Sequence, residues 1–204
     1  MSLSSTITPR LTLSRAITSL PTSEYFGALG PRAMSLAAYR RLFRLRHLVE
    51  NYDYTTILRR RFTRIDFNIR RQKVLGLLSP LSHQDMTTRL ANTVAFIFNS
   101  TCHSKDERSP VYFYDDLVRE TRPRLEREIL STILNMDRQM PPRLKYDYSY
   151  DWVDDVKSFY AEVGSGPDRR NINRLFKTQQ APYLGFLQYE QCVMSLNETM
   201  NLCI

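Results

Sequence analysis

Apolar side chains return every three or four residues along this chain, and that spacing constrains its fold more than any other feature. Leu36, Tyr39, Leu42, Leu45, Val49 and Tyr52 follow one face of a helix. A second helix is predicted through Leu58, Phe62, Ile65 and Ile69, spaced i, i+4, i+7, i+11. Its other faces hold Arg59, Arg60, Arg61, Arg64, Arg70, Arg71 and Lys73. Gly76 and the Ser79-Pro80 pair end it, and Ser82 caps a third helix carrying Leu90, Val94, Ile97 and Phe98. Three consecutive amphipathic helices with short links predict an antiparallel up-down-up bundle.

Beyond a polar link at 103–110, a helix is expected from about Asp115 to Arg138, with Leu125, Ile129, Ile133 and Met136 on one side. Pro141 and Pro142 stop it. A helix resumes near Asp151, residues 164–171 read as a turn or loose loop, and Phe186, Tyr189, Val193, Leu196 and Met200 space a closing helix. Only 6 glycines in 204 residues, no alternating strand pattern and no internal repeat favour helices joined by proline-marked turns. The predicted fold class is all-α: a three-helix bundle over 34–104 with a helical extension over 105–204.

Charge divides the chain. Residues 1–75 hold 14 Lys and Arg against 4 Asp and Glu, and the remainder holds 15 against 17. A cationic front on a nearly neutral body points to a localised electrostatic footprint. No window reaches the roughly 18 apolar residues of a membrane helix. Cys102, Cys192 and Cys203 form no CxxC pair and leave one odd, so no disulfide framework is expected. The opening residues are rich in Ser and Thr, carry Arg10 and Arg15, and have no acid before Glu24. That is the composition of a mitochondrial transit segment, assigned to 1–33 and implying the matrix; an ordinary tail is the competing reading. The sequons at Asn99 and Asn197 are expected to go unread.

Catalytic patterns are thin. Asp151 and Asp155 share a helix face, and paired carboxylates bind metals or do acid–base work. Acids in the first turn of a helix also simply complement its dipole, which is the expected role here. His47, His83 and His103 are scattered, and the neighbours Cys102 and His103 do not face one metal. Gly164 to Pro167 lacks the Gly-Lys-Ser/Thr ending of a phosphate loop. No enzyme class, catalytic residue, metal or cofactor of its own is expected. The 11 cations between Tyr39 and Lys73 leave two readings open. One is a mitochondrial DNA- or RNA-binding protein using the basic 40–73 surface, although no helix-turn-helix, zinc or RNP signature accompanies it. The other is docking of an acidic protein partner through arginine forks.

Ala38-Tyr39-Arg40, followed by Leu42 and Arg44, resembles the opening helix motif of the mitochondrial LYR (complex I LYR) family. The arginine-flanked Phe62 resembles that family's downstream phenylalanine, and the third helix completes its three-helix unit over roughly 34–104. Ala38 stands where that family has Leu, which reduces apolar packing at the helix start. Within the group, the chain resembles a fungal family of the increased recombination centres protein nineteen type. The resemblance rests on the Tyr39-Arg40-Arg41 opening, the helix beginning Arg127-Glu128-Ile129, and the closing Leu196-Asn197-Glu198-Thr199-Met200. It implies a non-enzymatic adaptor that docks acylated mitochondrial acyl carrier protein, whose acyl-phosphopantetheine arm enters the bundle. It further implies support of respiratory growth, mitochondrial genome maintenance and sporulation. On this resemblance Ala38, Tyr39 and Arg40 sit at the carrier contact and Phe62 lines or supports the acyl tunnel. Arg41 and Arg44 extend the basic contact surface by physical extrapolation, and a client is expected to meet 105–204.

Overall fold

The computed structural model describes residues 20–49, 51–101, 125–164 and 181–204, and these carry helices and turns with no strand. The fold is all-α. Expectations for residues 1–19, the link at 103–110, the helix start at 115–124, the Cys102-His103 pair and the loop at 165–171 lie outside the described residues.

Helix α1 (Ser23–Gly27) lies inside the stretch read as a leader. Thr22 caps it by accepting from the Tyr25 N–H, and Phe26 is fully buried. Helix α2 (Pro31–Arg44) begins on Pro31, whose missing N–H costs nothing at a helix start, and closes in a 3-10 turn, Leu45–His47. It buries Met34, Ala38 and Leu42. Helix α3 (Tyr54–Thr63) is pinned to α2 by the Tyr54 hydroxyl, which donates to the Leu42 carbonyl oxygen at 3.1 Å.

The single helix predicted through Leu58 and Ile69 is broken. Helix α4 (Phe67–Leu75) starts anew because Asp66 is extended (φ −85°, ψ 117°) and its carboxylate accepts from the N–H groups of Asn68 and Ile69. The break re-aims everything after it. Ile69, placed by periodicity on the apolar stripe, is 39% exposed, whereas Arg70 and Arg71 turn inward and are buried. Gly76 ends α4 at φ 75°, a left-handed conformation suited to glycine, and its N–H donates to the Gln72 carbonyl.

Helix α5 (His83–Thr101) opens on a reciprocal cap. The Asp85 N–H donates to Ser82 Oγ, and the Ser82 N–H and hydroxyl donate to the Asp85 carboxylate. That hydrogen bonding holds the Asp85 carboxyl below its usual pKa. Helix α6 (Leu125–Gln139) ends before Pro141, the short α7 (Pro142–Lys145) follows, and α8 (Asp151–Gly164) and α9 (Ala181–Met200) complete the described fold.

Helix α5 is the hub, packing on α1, α2 and α6. Around it one core gathers Phe26, Leu42, Ile57, Val94, Ile133, Val193 and Leu202. A second core holds Val74, Leu144, Trp152, Val156, Leu187 and Met194 where α4 meets α8 and α9. Residues of 125–204 thus stand in both cores. The buried positions of α9 are Leu187, Glu190, Val193, Met194 and Asn197, so its inward face includes an acid and an amide. After α9, Asn201 adopts φ 51°, and the chain folds back on Asn197, whose side chain binds both backbone groups of Ile204. The sequon at Asn197 therefore presents no surface to a modifying enzyme.

Candidate docking site around Tyr39 and Phe62

Helix α2 aligns Ser35, Tyr39 and Phe43 at i, i+4 and i+8 on one face. The half-buried Tyr39 ring stacks on Phe43 at 5.8 Å and meets Phe62 of α3 edge-on, also at 5.8 Å. Such pairs add about 0.5–1.5 kcal/mol beyond their buried area. Arg46 completes the row: its guanidinium lies 4.2 Å above the Phe43 ring while it donates to the Phe43 carbonyl. Of the residues predicted for a partner site, the structure thus brings Tyr39 and Phe62 into contact.

The others are placed differently. Ala38 has no exposed surface and packs in the core, so it presents nothing to a partner. Arg41 is held by α1, with its guanidinium 4.4 Å over the Tyr25 ring and a 3.3 Å bond to the Tyr25 hydroxyl. Arg40 and Arg44 are exposed, share a helix face by their i, i+4 spacing, and have no partner among the described residues.

Phe62 also lines a cavity of about 470 Å³ at the α3–α4 break, together with Ser35, Ile65, Met86, Leu90 and Cys203. Arg61, Arg64 and Arg70 stand in the same wall. Sequence periodicity marks Phe62, Ile65 and Leu90 as stripe residues but not the cavity they line, because the cavity exists only where the chain turns at Asp66. An Asp directly ahead of an apolar-periodic run was the available signal. Burial pushes the Cys203 thiol up to about 12, which keeps it protonated at neutral pH.

The basic stretch 40–73 is not one solvent-facing surface. Arg60 donates to Asp137, which Lys145 also contacts at 3.1 Å. Arg70 pairs with Glu190 at 2.8 Å and donates to the Ile204 carbonyl at 2.7 Å. Burial alone would lower the Arg70 pKa, but the Glu190 charge and hydrogen bond outweigh it and keep the guanidinium firmly protonated. Arg71 and Arg89 converge on Glu198, and Arg89 also reaches the carbonyls of Asn197 and Leu202. Lys73 bridges Asp151 and Asp154. The acids considered as a catalytic pair are both exposed, and Asp151 is engaged by Lys73 and Ser149. Among the described residues no group of three His, Cys, Asp or Glu side chains is arranged to hold a metal ion, and no helix is long and apolar enough to cross a membrane.

No curated protein and no solved structure matches the chain. A family model does, and its match begins at Thr22, the cap of the first described helix. Over residues 22–204 the chain matches Irc19, increased recombination centres protein 19, and it belongs to that family.

Proposed function

We propose that this chain is a mitochondrial adaptor of the LYR type that docks acylated acyl carrier protein. In this reading α2, the α3–α4 pair and α5 are the three-helix unit, with its middle helix split at Asp66. Tyr39, Arg40 and Arg44 form the contact for the carrier's acidic helix, and Arg41 joins them from its seat on Tyr25. Phe62 borders the space that receives the acyl-phosphopantetheine arm. Ala38 contributes by packing alone.

The observation that carries the reading is the contact of Tyr39 with Phe62, whose side chain lines a cavity of about 470 Å³. Phe62 lines a space of the size small-molecule sites have, and Tyr39 touches the Phe62 ring without lining that space itself, which supports a shared role for the pair. Two unpartnered exposed arginines on the helix of Tyr39 supply charge complementary to an acidic partner. Membership of the Irc19 family supports a mitochondrial adaptor over an enzyme. Support of respiratory function, mitochondrial DNA maintenance and sporulation follows the same reading, with the client meeting the 105–204 extension. An import leader would end before Thr22, because Phe26 belongs to the core.

The direct DNA- or RNA-binding alternative is weakened by Arg60, Arg70, Arg71 and Lys73, which are committed to internal partners. Affinity purification from mitochondria at native salt, followed by mass spectrometry, tests the proposal. Acyl carrier protein is expected in the complex. Its absence, with salt-sensitive nucleic-acid binding by the purified chain, would reverse the choice.

A further inference from the structure

Arg70 is only 2% exposed, and it lines the cavity while one of its guanidinium nitrogens, Nη2, meets no acceptor. Its Nε and Nη1 are already used by Glu190 and Ile204. Arg61 stands in the same wall, and its Nε and Nη1 are shielded from solvent and equally without an acceptor. The carboxylate in that wall, Asp66, is exposed and uses its Oδ1 to cap α4. A guanidinium only donates, so buried N–H groups of this kind are open to an acceptor from outside the chain, water or a ligand. Carboxylate and phosphate oxygens match their fork geometry. Beside the cations the wall is mixed: Phe62, Ile65, Met86 and Leu90 give it an apolar side, and Ser35, Thr63 and Asn68 give it neutral polar groups. A cavity of about 470 Å³ with one apolar side and convergent cationic groups falls in the size range of small-molecule sites.

We propose that this cavity binds a free organic oxyanion with an apolar body. Its carboxylate or phosphate head sits on Arg61 and Arg70, and its hydrocarbon part lies on Phe62, Ile65, Met86 and Leu90. The site shares space with the docking proposal but stands without it, because a free ligand needs no carrier.

Calorimetric titration of the full chain with octanoate, octyl phosphate and octanol tests this. One or both anions are expected to bind saturably and about tenfold or more tighter than octanol, the discrimination a charge-assisted hydrogen bond supplies. The tighter anion identifies the head group. Arg61→Met keeps the apolar stem and removes one of the two sets of donors, so it should reduce the preference over octanol severalfold while leaving the fold intact, since Arg61 has no ion pair among the described residues. Met86→Trp, which fills the cavity, should weaken all three ligands. Equal binding of octanol and the anions, no binding at all, or an undiminished preference in Arg61→Met overturns the inference. Octanoate binding without a co-purifying carrier protein sinks the docking proposal alone, and the reverse result sinks this one alone.

Discussion

Arg70 and Glu190 lie 120 positions apart and meet where both side chains are almost fully buried. Removing one partner of such a pair leaves an uncompensated charge in the interior. Glu190→Ala is therefore expected to lower unfolding free energy by about 3–5 kcal/mol in urea titration. The double variant Arg70→Met, Glu190→Leu should recover most of that loss, since an apolar pair of similar volume restores packing without the charge. Glu198 adds a pH dependence. Burial alone would raise its pKa, but Arg71 and Arg89 outweigh burial and hold it below the ordinary 4.5. The unfolded chain then binds the proton first, so this contribution is fully present above about pH 4.5 and is lost as pH falls through the depressed folded value. Thermal melts between pH 3 and 7 should show a shallower acid loss for Glu198→Gln than for the natural chain.

At the scale of elements, local chemistry decided what could be read. The Ser82 cap, the stop at Pro141 and Pro142, the start near Asp151 and the closing helix are set by neighbours within a few positions, and the structure has them. The Asp66 break was missed because the stripe Leu58, Phe62, Ile65, Ile69 keeps a helical period across it. Asp66 caps through local N–H groups, but the turn is favoured by distant gains: it carries Arg70 to Glu190 and Arg71 to Glu198. Helix spacing alone had assigned both arginines to solvent. The Tyr39–Phe62 site was legible from its motif, whereas its cavity depends on the break and had no periodic signature. Asp66→Ala is predicted to cost about 1 kcal/mol through the lost cap. A larger loss in denaturant titration would mean that the cap also holds the arginines in register. Phe26→Ala tests whether α1 is integral: emptying a fully buried aromatic site costs about 3–5 kcal/mol, whereas a detachable leader helix would show no change.

Across the whole molecule, charge is sorted by depth. Arg60, Arg70, Arg71 and Arg89 are buried and bind acids of α6 and α9, joining the front of the chain to its C-terminal helices. Arg40, Arg44, Arg59 and Arg64 remain exposed. An acidic partner steered by long-range charge would meet that second set. The most direct measurement is the affinity of purified acylated carrier protein for the natural chain, Arg40→Glu and Arg143→Glu, all at one ionic strength. Arg143 is an exposed arginine on α7 and controls for net charge. The account predicts a loss of about tenfold or more for Arg40→Glu, the scale of one charge-assisted contact, and little change for Arg143→Glu. Equal effects of the two reversals, or no carrier binding by the natural chain, would contradict it.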